Sequence, residues 1–465
     1  MSLVEQSDRR LNRIVAVILL GGVMGILDGS MVLVAIEALS ADLGTGLAQA
    51  GWASTVYLLA VAVTIPVGAW AVLRIGGRRL WLIGLTVFFA GSAASALAWN
   101  LEALVVFRAI QGVGAGILDP LMLTLLARAA GPARIGRVMG VMGIVGSGGP
   151  VAGPIVGGAI LQVADWRWLF VVNIPIVLAA FALAVRHLPA DAPEPGGPRT
   201  RLDVVGLALV GPGVAGLLFA LSRIEAEGRL TAPSVLGVAA VALVLAGAYV
   251  VHALRTRGTP LVDLRLLARP RFAASLAAAA VAGLTTFGAL FLVPVFYQRL
   301  HDVDPARTGL LLAALGIGSA LAMPVAGRLS DRTGPRPPAC AGAVAALAAL
   351  VTLTLAPTVL PLTVAALFVL GAGLGSVGAP AIGSVYRVLP PDLAPQGSSL
   401  LYLANQLGAA LGIATVSLVL TASPGLPQFR AAFAALAVAA ALAIVAGAAL
   451  PGRPHLGSVA SGGRV

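Results

Sequence analysis

Run after run of about 20 apolar residues, the length at which a helix crosses roughly 30 Å of hydrocarbon, constrains this chain more than any motif does. Hydrophobic residues make up 59% of its 465 positions and charged residues only 10%. A water-soluble core could not hide that much apolar surface behind so little polar surface. The sequence predicts an all-α integral membrane protein with fourteen spans, at 14–36, 51–73, 80–98, 102–126, 138–162, 168–187, 204–222, 234–254, 273–297, 308–327, 338–357, 361–386, 396–420 and 429–450. The opening stretch starts basic but runs on too long for the apolar core of a signal peptide, so it is expected to remain as the first span.

Several function classes are disfavoured at once. Cys340 is the only cysteine, which leaves no internal disulfide and no cysteine-cluster metal site. The four histidines, His187, His252, His301 and His455, fall at segment ends or in loops. No metal, no cofactor and no enzymatic centre are expected. The net charge of +12 does not mark a nucleic-acid binder, because the thirty basic residues, all arginine, are spread among loops.

Their spread orients the chain. Numbering the connections alternately puts twenty-three arginines in one set and six in the other, with Arg108 left inside a span. Acidic residues show no such bias, as the positive-inside rule requires. Both termini are therefore expected in the cytoplasm.

The layout is six spans, two, then six. A Pro-rich connection, "HLPADAPEPGGPRTRLD" (187–203), follows the first six, and "RTRGTPLVDLRLLARPR" (255–271) precedes the last six. The expected units are 1–187, a six-helix bundle; 188–270, a linker carrying two extra helices; and 271–465, a second six-helix bundle with a short tail. Matching loops support a duplication. "GRLSDRTGPR" (327–336) occupies the place in the last six that "AWAVLRIGGRR" (69–79) occupies in the first. Gly76 aligns with Gly334 and Arg74 with Arg332, while Leu73 stands opposite Asp331. Folds built this way hold substrate near the midplane between rocking halves.

These loops and five further stretches resemble the major facilitator superfamily, in particular its fourteen-span drug:proton antiporter branch. "LVVFRAIQGVGAG" (104–116) is similar to the fourth-helix motif, "GGPVAGPIVGG" (148–158) to the fifth-helix motif of antiporters, and "GILDGSMVLVAIEAL" (25–39) to the first-helix motif of that branch. "WRWLFVVNIP" (166–175) and "RLDVVGLAL" (201–209) resemble other stretches typical of it. The resemblance implies a multidrug or antibiotic exporter driven by the proton gradient, working as a monomer in the cell membrane. It makes Arg78, Arg79, Gly327, Asp331, Arg332 and Gly334 parts of gating loops, in which the loop acid latches the cytoplasmic side; Leu73 departs from that pattern.

Arg108 and Asp119, eleven residues apart, lie about 20° apart on one helix face, separated by roughly 16 Å of rise. Gln111, Gly112 and Ala115 share the stripe. A charge in mid-membrane is costly without water or a partner, so this face is expected to line a wet central cavity. The alternative for Arg108 is snorkelling to the outer interface. Asp119 precedes Pro120 and fits either a local polar contact or a functional site. Asp28, mid-way along the first span, fits either a structural hydrogen bond or a proton carrier. Burial favours its neutral form and a neighbouring arginine its charged form, so an acid held between the two can load and release a proton. By resemblance, Asp28, Arg108 and Asp119 take the proton-coupling role.

Gly149, Gly153 and Gly157, with Pro150, Pro154 and Gly158, form a small-residue stripe expected to pack closely where the halves meet. Gln111, Tyr57, Asn405, Gln406 and Tyr297 are candidate contacts for a small hydrophobic or amphipathic substrate, with packing or interface-belt roles as the alternative. No acidic residue falls inside the last six spans, which disfavours dications as cargo. A uniporter or proton symporter for a nutrient or organic anion fits the same fold. An integral-membrane transferase is the reading from another class.

Overall fold

The computed structural model describes residues 3–131, 134–191, 202–227, 231–256, 260–301, 305–357, 359–390, 393–420 and 425–452, and these are overwhelmingly helical. Long helices carry the apolar runs: α1 (Leu3–Val34), α4 (Trp52–Ile75), α5 (Gly77–Ala96), α6 (Leu101–Ala130), α7 (Ile135–Val163), α10 (Val204–Glu227), α11 (Pro233–Arg255), α12 (Pro270–His301), α13 (Pro305–Thr333), α14 (Arg336–Leu355), α15 (Leu360–Val388), α16 (Ala394–Leu420) and α17 (Leu426–Ala448). Short helices α2 (Ile36–Asp42) and α3 (Leu47–Ala50) join α1 to α4. The sixth span breaks at Val172 into α8 (Trp168–Val171) and α9 (Asn173–His187). Among the described residues, thirteen segments are long and apolar enough to cross a membrane. The remaining expected span, 138–162, falls within the single 29-residue helix α7.

The two matched loops share a backbone device. Gly76, between α4 and α5, has φ 92°, and Gly334, between α13 and α14, has φ 87°. A side chain at either would be strained in this left-handed region, so glycine is what lets each helix stop and the next begin immediately. The duplication continues in the packing. In the first half α1 pairs with α7 and α9, α4 with α6, and α5 with α6 and α9. In the second, α12 pairs with α16 and α17, α13 with α15, and α14 with α15 and α17.

The extra pair packs α10 on α11, with α10 touching both α4 and α16. α11 turns apolar side chains outward, among them Val241, Leu243 and Val244, as a helix bathed in lipid can. A groove of about 490 Å³ between α4, α6 and α10, lined by Val63, Val67, Val113, Ile117, Leu207 and Pro212, also faces outward and takes no part in the polar site below.

Asp203 ties the extra pair to the linker. It caps α10 by accepting from Gly206 N at 2.7 Å, and accepts from Leu261 N at 3.2 Å; His252 Nε2 lies 2.9 Å from Oδ1. Burial pushes its carboxyl up, but those hydrogen bonds outweigh it and hold the group below its ordinary value.

Candidate functional site

Helix α6 begins at Asn100, whose side chain accepts from Ala103 N at 2.9 Å, satisfying a first-turn donor. One face then carries Val106, Ile110 and Val113 outward to lipid, while Arg108, Gln111 and Asp119 are buried. The polar stripe therefore faces inward, but not onto water. Arg108 is 0% exposed and forms a direct ion pair with Asp28 of α1, itself 0% exposed. The expected wet cavity is replaced by a sealed cluster. The reason is a partner eighty residues away that the α6 stripe alone does not disclose.

The cluster draws on five helices and the start of α4. Arg108 Nε donates to Ala53 O at 3.0 Å, and its Nη1 also donates to Gln111 Oε1 at 2.6 Å. Gln111 Nε2 donates to Asp28 Oδ1 at 2.9 Å and to Ser92 Oγ of α5 at 2.6 Å. Asn173, the first residue of α9, donates to Asp28 Oδ1 at 2.7 Å. The Tyr57 ring lies 4.1 Å from the guanidinium carbon and Phe170 of α8 lies 5.6 Å from it, so aromatic faces cover the cation. Burying either charge alone would cost several kcal/mol, and the pairing with its hydrogen bonds offsets part of that, while Arg108 Nη2 is buried without a partner. The Tyr57 hydroxyl donates to Gly25 O at 2.7 Å.

Asp119 sits elsewhere, on the seam between halves. Its Oδ2 accepts from Tyr402 of α16 at 2.6 Å, and its Oδ1 is buried without a donor. Below it toward the arginine-rich end, Thr124 Oγ1 meets Ser398 Oγ at 2.7 Å, and Ser399 Oγ donates to Ile65 O at 3.2 Å. At that end Asp331 of α13 accepts from Gly136 N and Arg137 N, both at 2.9 Å, capping the first turn of α7 from the opposite half. Arg387 donates to Asp331 Oδ1 at 2.5 Å and to Ser330 Oγ at 2.9 Å. Gly136 and Gly327 meet backbone to backbone, with no room for a Cβ on either.

The first-half loop works differently. Arg78 N and Arg79 N donate to Asp191 of the linker at 2.9 and 3.0 Å, so an acid after α9 caps α5 within its own half. Leu73 is exposed, as are Arg79 and Arg332.

The glycine stripe also lands differently from expectation. Gly149, Gly153 and Gly157 face α1, against Ile26, Ser30 and Met31 of the same half, and Ser30 Oγ donates to Gly149 O at 3.3 Å. The seam is met instead by Gly136, Gly140 and Gly143. Gly140 and Gly149 are nine residues apart, about 180° around the helix, so the stripe cannot serve the seam. Pro154 is half-buried, Gly158 has open space beside it, and the side chain of Pro150 lies outside the described residues. Among the candidate substrate contacts, Asn405 and Gln406 are half-buried on α16, and Asn405 Nδ2 donates to Ala279 O at 3.2 Å. Tyr297 is buried in the second-half core, its hydroxyl donating to Pro357 O at 3.0 Å.

The sequence and the fold find company among known proteins. A family profile described as Major Facilitator Superfamily matches residues 18–411 and, separately, 276–464. The chain belongs to that superfamily. Its members are transporters rather than enzymes, and it is a multi-pass protein of the cell membrane. A multidrug resistance protein B homolog of Mycobacterium tuberculosis is 36% identical over 421 residues, covering 90% of this chain and 77% of that protein. The puromycin resistance protein of Streptomyces alboniger is 30% identical, covering 87% and 81%. A solved structure of the proton:xylose symporter XylE superposes with a TM-score of 0.67 over 94% of this chain and 95% of that one, at 16% identity, a likeness of fold alone.

Ser92, Asn173, Asp191 and Arg387 join these sites without having been singled out as site residues from sequence; Tyr402, an aromatic on a span that sequence offers as a possible ligand contact, is found on Asp119 instead. "WRWLFVVNIP" contained Asn173, but nothing in the run pointed that amide toward α1.

Proposed function

We propose that this transporter is a proton-driven exporter of small amphipathic compounds, a fourteen-span antiporter with both termini in the cytoplasm, working by alternating access as a monomer. The observation that carries the proposal is the sealed Asp28–Arg108 pair. A carboxylate that far from water, balanced by a single arginine, is chemistry suited to exchanging one proton. Asp28 loads and releases the proton, and Arg108 sets when release occurs. Asp119 serves as a second acid whose exposure depends on the seam between halves. The proton gradient supplies the energy, with no cofactor.

The cargo class rests on the relatives, which are named for resistance to multiple drugs and to puromycin. Alternating access draws support from the hydrogen bonds from Gly136 N and Arg137 N to Asp331, which join the halves at the arginine-rich end, as in a carrier shut on one side. Asn405 and Gln406 are the side chains we assign to the cargo path.

The test is accumulation of fluorescent dyes and antibiotics in cells expressing wild type, Asp28→Asn or Arg108→Ala at matched membrane levels, with and without a protonophore. Wild type should lower accumulation, the protonophore should abolish this, and both variants should fail. Export by Asp28→Asn equal to wild type would discard Asp28 as the carrier. Wild-type cells that lower no compound's accumulation would discard broad export and favour an importer.

A further inference from the structure

Asn173 is the first residue after the break between α8 and α9, and its side chain is 0% exposed. Nδ2 donates to Asp28 Oδ1 at 2.7 Å and, more weakly, to Ser92 Oγ at 3.3 Å. Oδ1 is equally buried and meets no donor. An amide carbonyl left bare in an interior is costly, and here it lies beside a carboxylate whose charge the transport reading requires to change.

Few neighbours of Asp28 can answer such a change. As a carboxylate Asp28 accepts from Arg108, Gln111 and Asn173. Once it takes up a proton it must also donate. Arg108 has donors only. Gln111 Oε1 is held by Arg108 at 2.6 Å, and turning that amide would set its NH2 against the guanidinium. The Tyr57 hydroxyl donates to Gly25 O and is not among the hydrogen-bond partners of Asp28. Asn173 is different. A half-turn of its terminal torsion exchanges two ends of nearly equal shape. It brings the bare carbonyl to Asp28 and leaves the NH2 as the unpaired end. Each orientation leaves one end unpaired, so the turn favours neither state on its own.

We propose that Asn173 is a positioning residue for proton exchange, its side-chain amide turning over with each protonation of Asp28. The amide donates to the carboxylate and accepts from the acid. The proposal rests on the reading of Asp28 as proton carrier. The only bond made or broken is the O–H of Asp28, whose proton comes from water on one side of the membrane and leaves to water on the other. The titratable groups facing Asp28 are Arg108 and, a few turns along, Asp119 on α6, and Tyr57 on α4. Among the described residues, α5, α7, α8 and α9 present none at this level.

Infrared difference spectra of the purified full-length protein in lipid, acidic minus neutral, test this. Wild type should show a protonated-acid carbonyl band that is missing in Asp28→Asn. With carbon-13 in the asparagine side-chain carbonyls, wild type should also show an asparagine shift on acidification that Asp28→Asn lacks. That second measurement needs no variant at position 173. Asn173→Leu should keep the acid band but move it to higher frequency, because the acid has lost its acceptor. The midpoint of the band should rise by about one pH unit, a tenfold change in proton affinity, since the variant takes a charge-assisted bond from the carboxylate and only a neutral one from the acid. An acid band without any asparagine shift, or one unmoved in Asn173→Leu, overturns the amide switch and leaves Asp28 as carrier. No Asp28-dependent band at any pH overturns the carrier reading and the switch with it.

Discussion

The hydroxyl of Tyr402 donates to Asp119 Oδ2 at 2.6 Å, and the two residues belong to opposite halves. No other donor reaches this carboxylate among the described residues, since its second oxygen is bare. Closing the seam therefore satisfies Asp119, and opening it removes that bond. A hydrogen bond contributes about 0.5–1.5 kcal/mol net and more when its acceptor is charged, so Tyr402→Phe should shift the balance away from the closed seam by about threefold or more. The check is the labelling rate of Ser399→Cys, in a Cys340→Ser background, by a membrane-impermeant thiol reagent added from the arginine-rich side. A rate unchanged by Tyr402→Phe would show that the bond does not hold the seam.

Gly136→Ala should abolish transport while leaving membrane insertion intact. Its Cβ would collide with the Gly327 carbonyl and with Asp331, so the seam could not close. Gly158→Ala, on the same helix with open space beside it, should transport like wild type. Equal activity in the two variants would contradict the seam described here.

Asp331→Ala should slow turnover, because it removes the cap that α7 receives from the other half, worth about 0.5–2 kcal/mol, and leaves Arg387 without its carboxylate. Leu73→Asp, which writes the missing acid back into the first loop, should change turnover little. The α5 donors it might serve are already taken by Asp191, and Leu73 is exposed. Initial rates of dye efflux from proteoliposomes at matched protein content decide both.

Asp203 gives a stability test with a defined sign. Its carboxyl is held below the ordinary 3.8, so it contributes stability above that value and loses it as pH falls through the lower folded value. At neutral pH Asp203→Asn keeps an oxygen for the cap but loses the charge, and should melt earlier in detergent by about 1 °C, the shift that about 1 kcal/mol makes in a chain of this length. The difference should shrink once the solution is more acidic than 3.8. A difference that persists unchanged in acid would mean the carboxylate charge is not what matters there.

What could be read in advance followed from periodicity and local backbone need. The α6 stripe from Arg108 to Asp119 does face inward, because a helix fixes which residues share a face. The match of Gly76 with Gly334 reappears as two left-handed turns, because a tight helix-to-helix junction needs glycine wherever it occurs. What could not be read were contacts made between spans. Nothing local tells α9 to aim Asn173 at α1, or the linker to lend Asp191 to α5. The glycines at 149, 153 and 157 announced close packing but not the neighbour, which proved to be α1 of their own half.

Helix α7 is gripped on two opposite sides. Gly140 lies against Met323 and Pro324 of the second half, while Gly149 lies against Ile26 and receives the Ser30 hydroxyl, within one turn of Asp28. A single continuous helix thus runs from the gate to the helix that bears the acid. A tilt imposed at one end is carried along that helix toward the other, as in a rocker arm, with its interior prolines setting how stiff the arm is. Gate position and proton site are in that sense one mechanical variable, and a change that loosens either bearing surface of α7 would put slack between them.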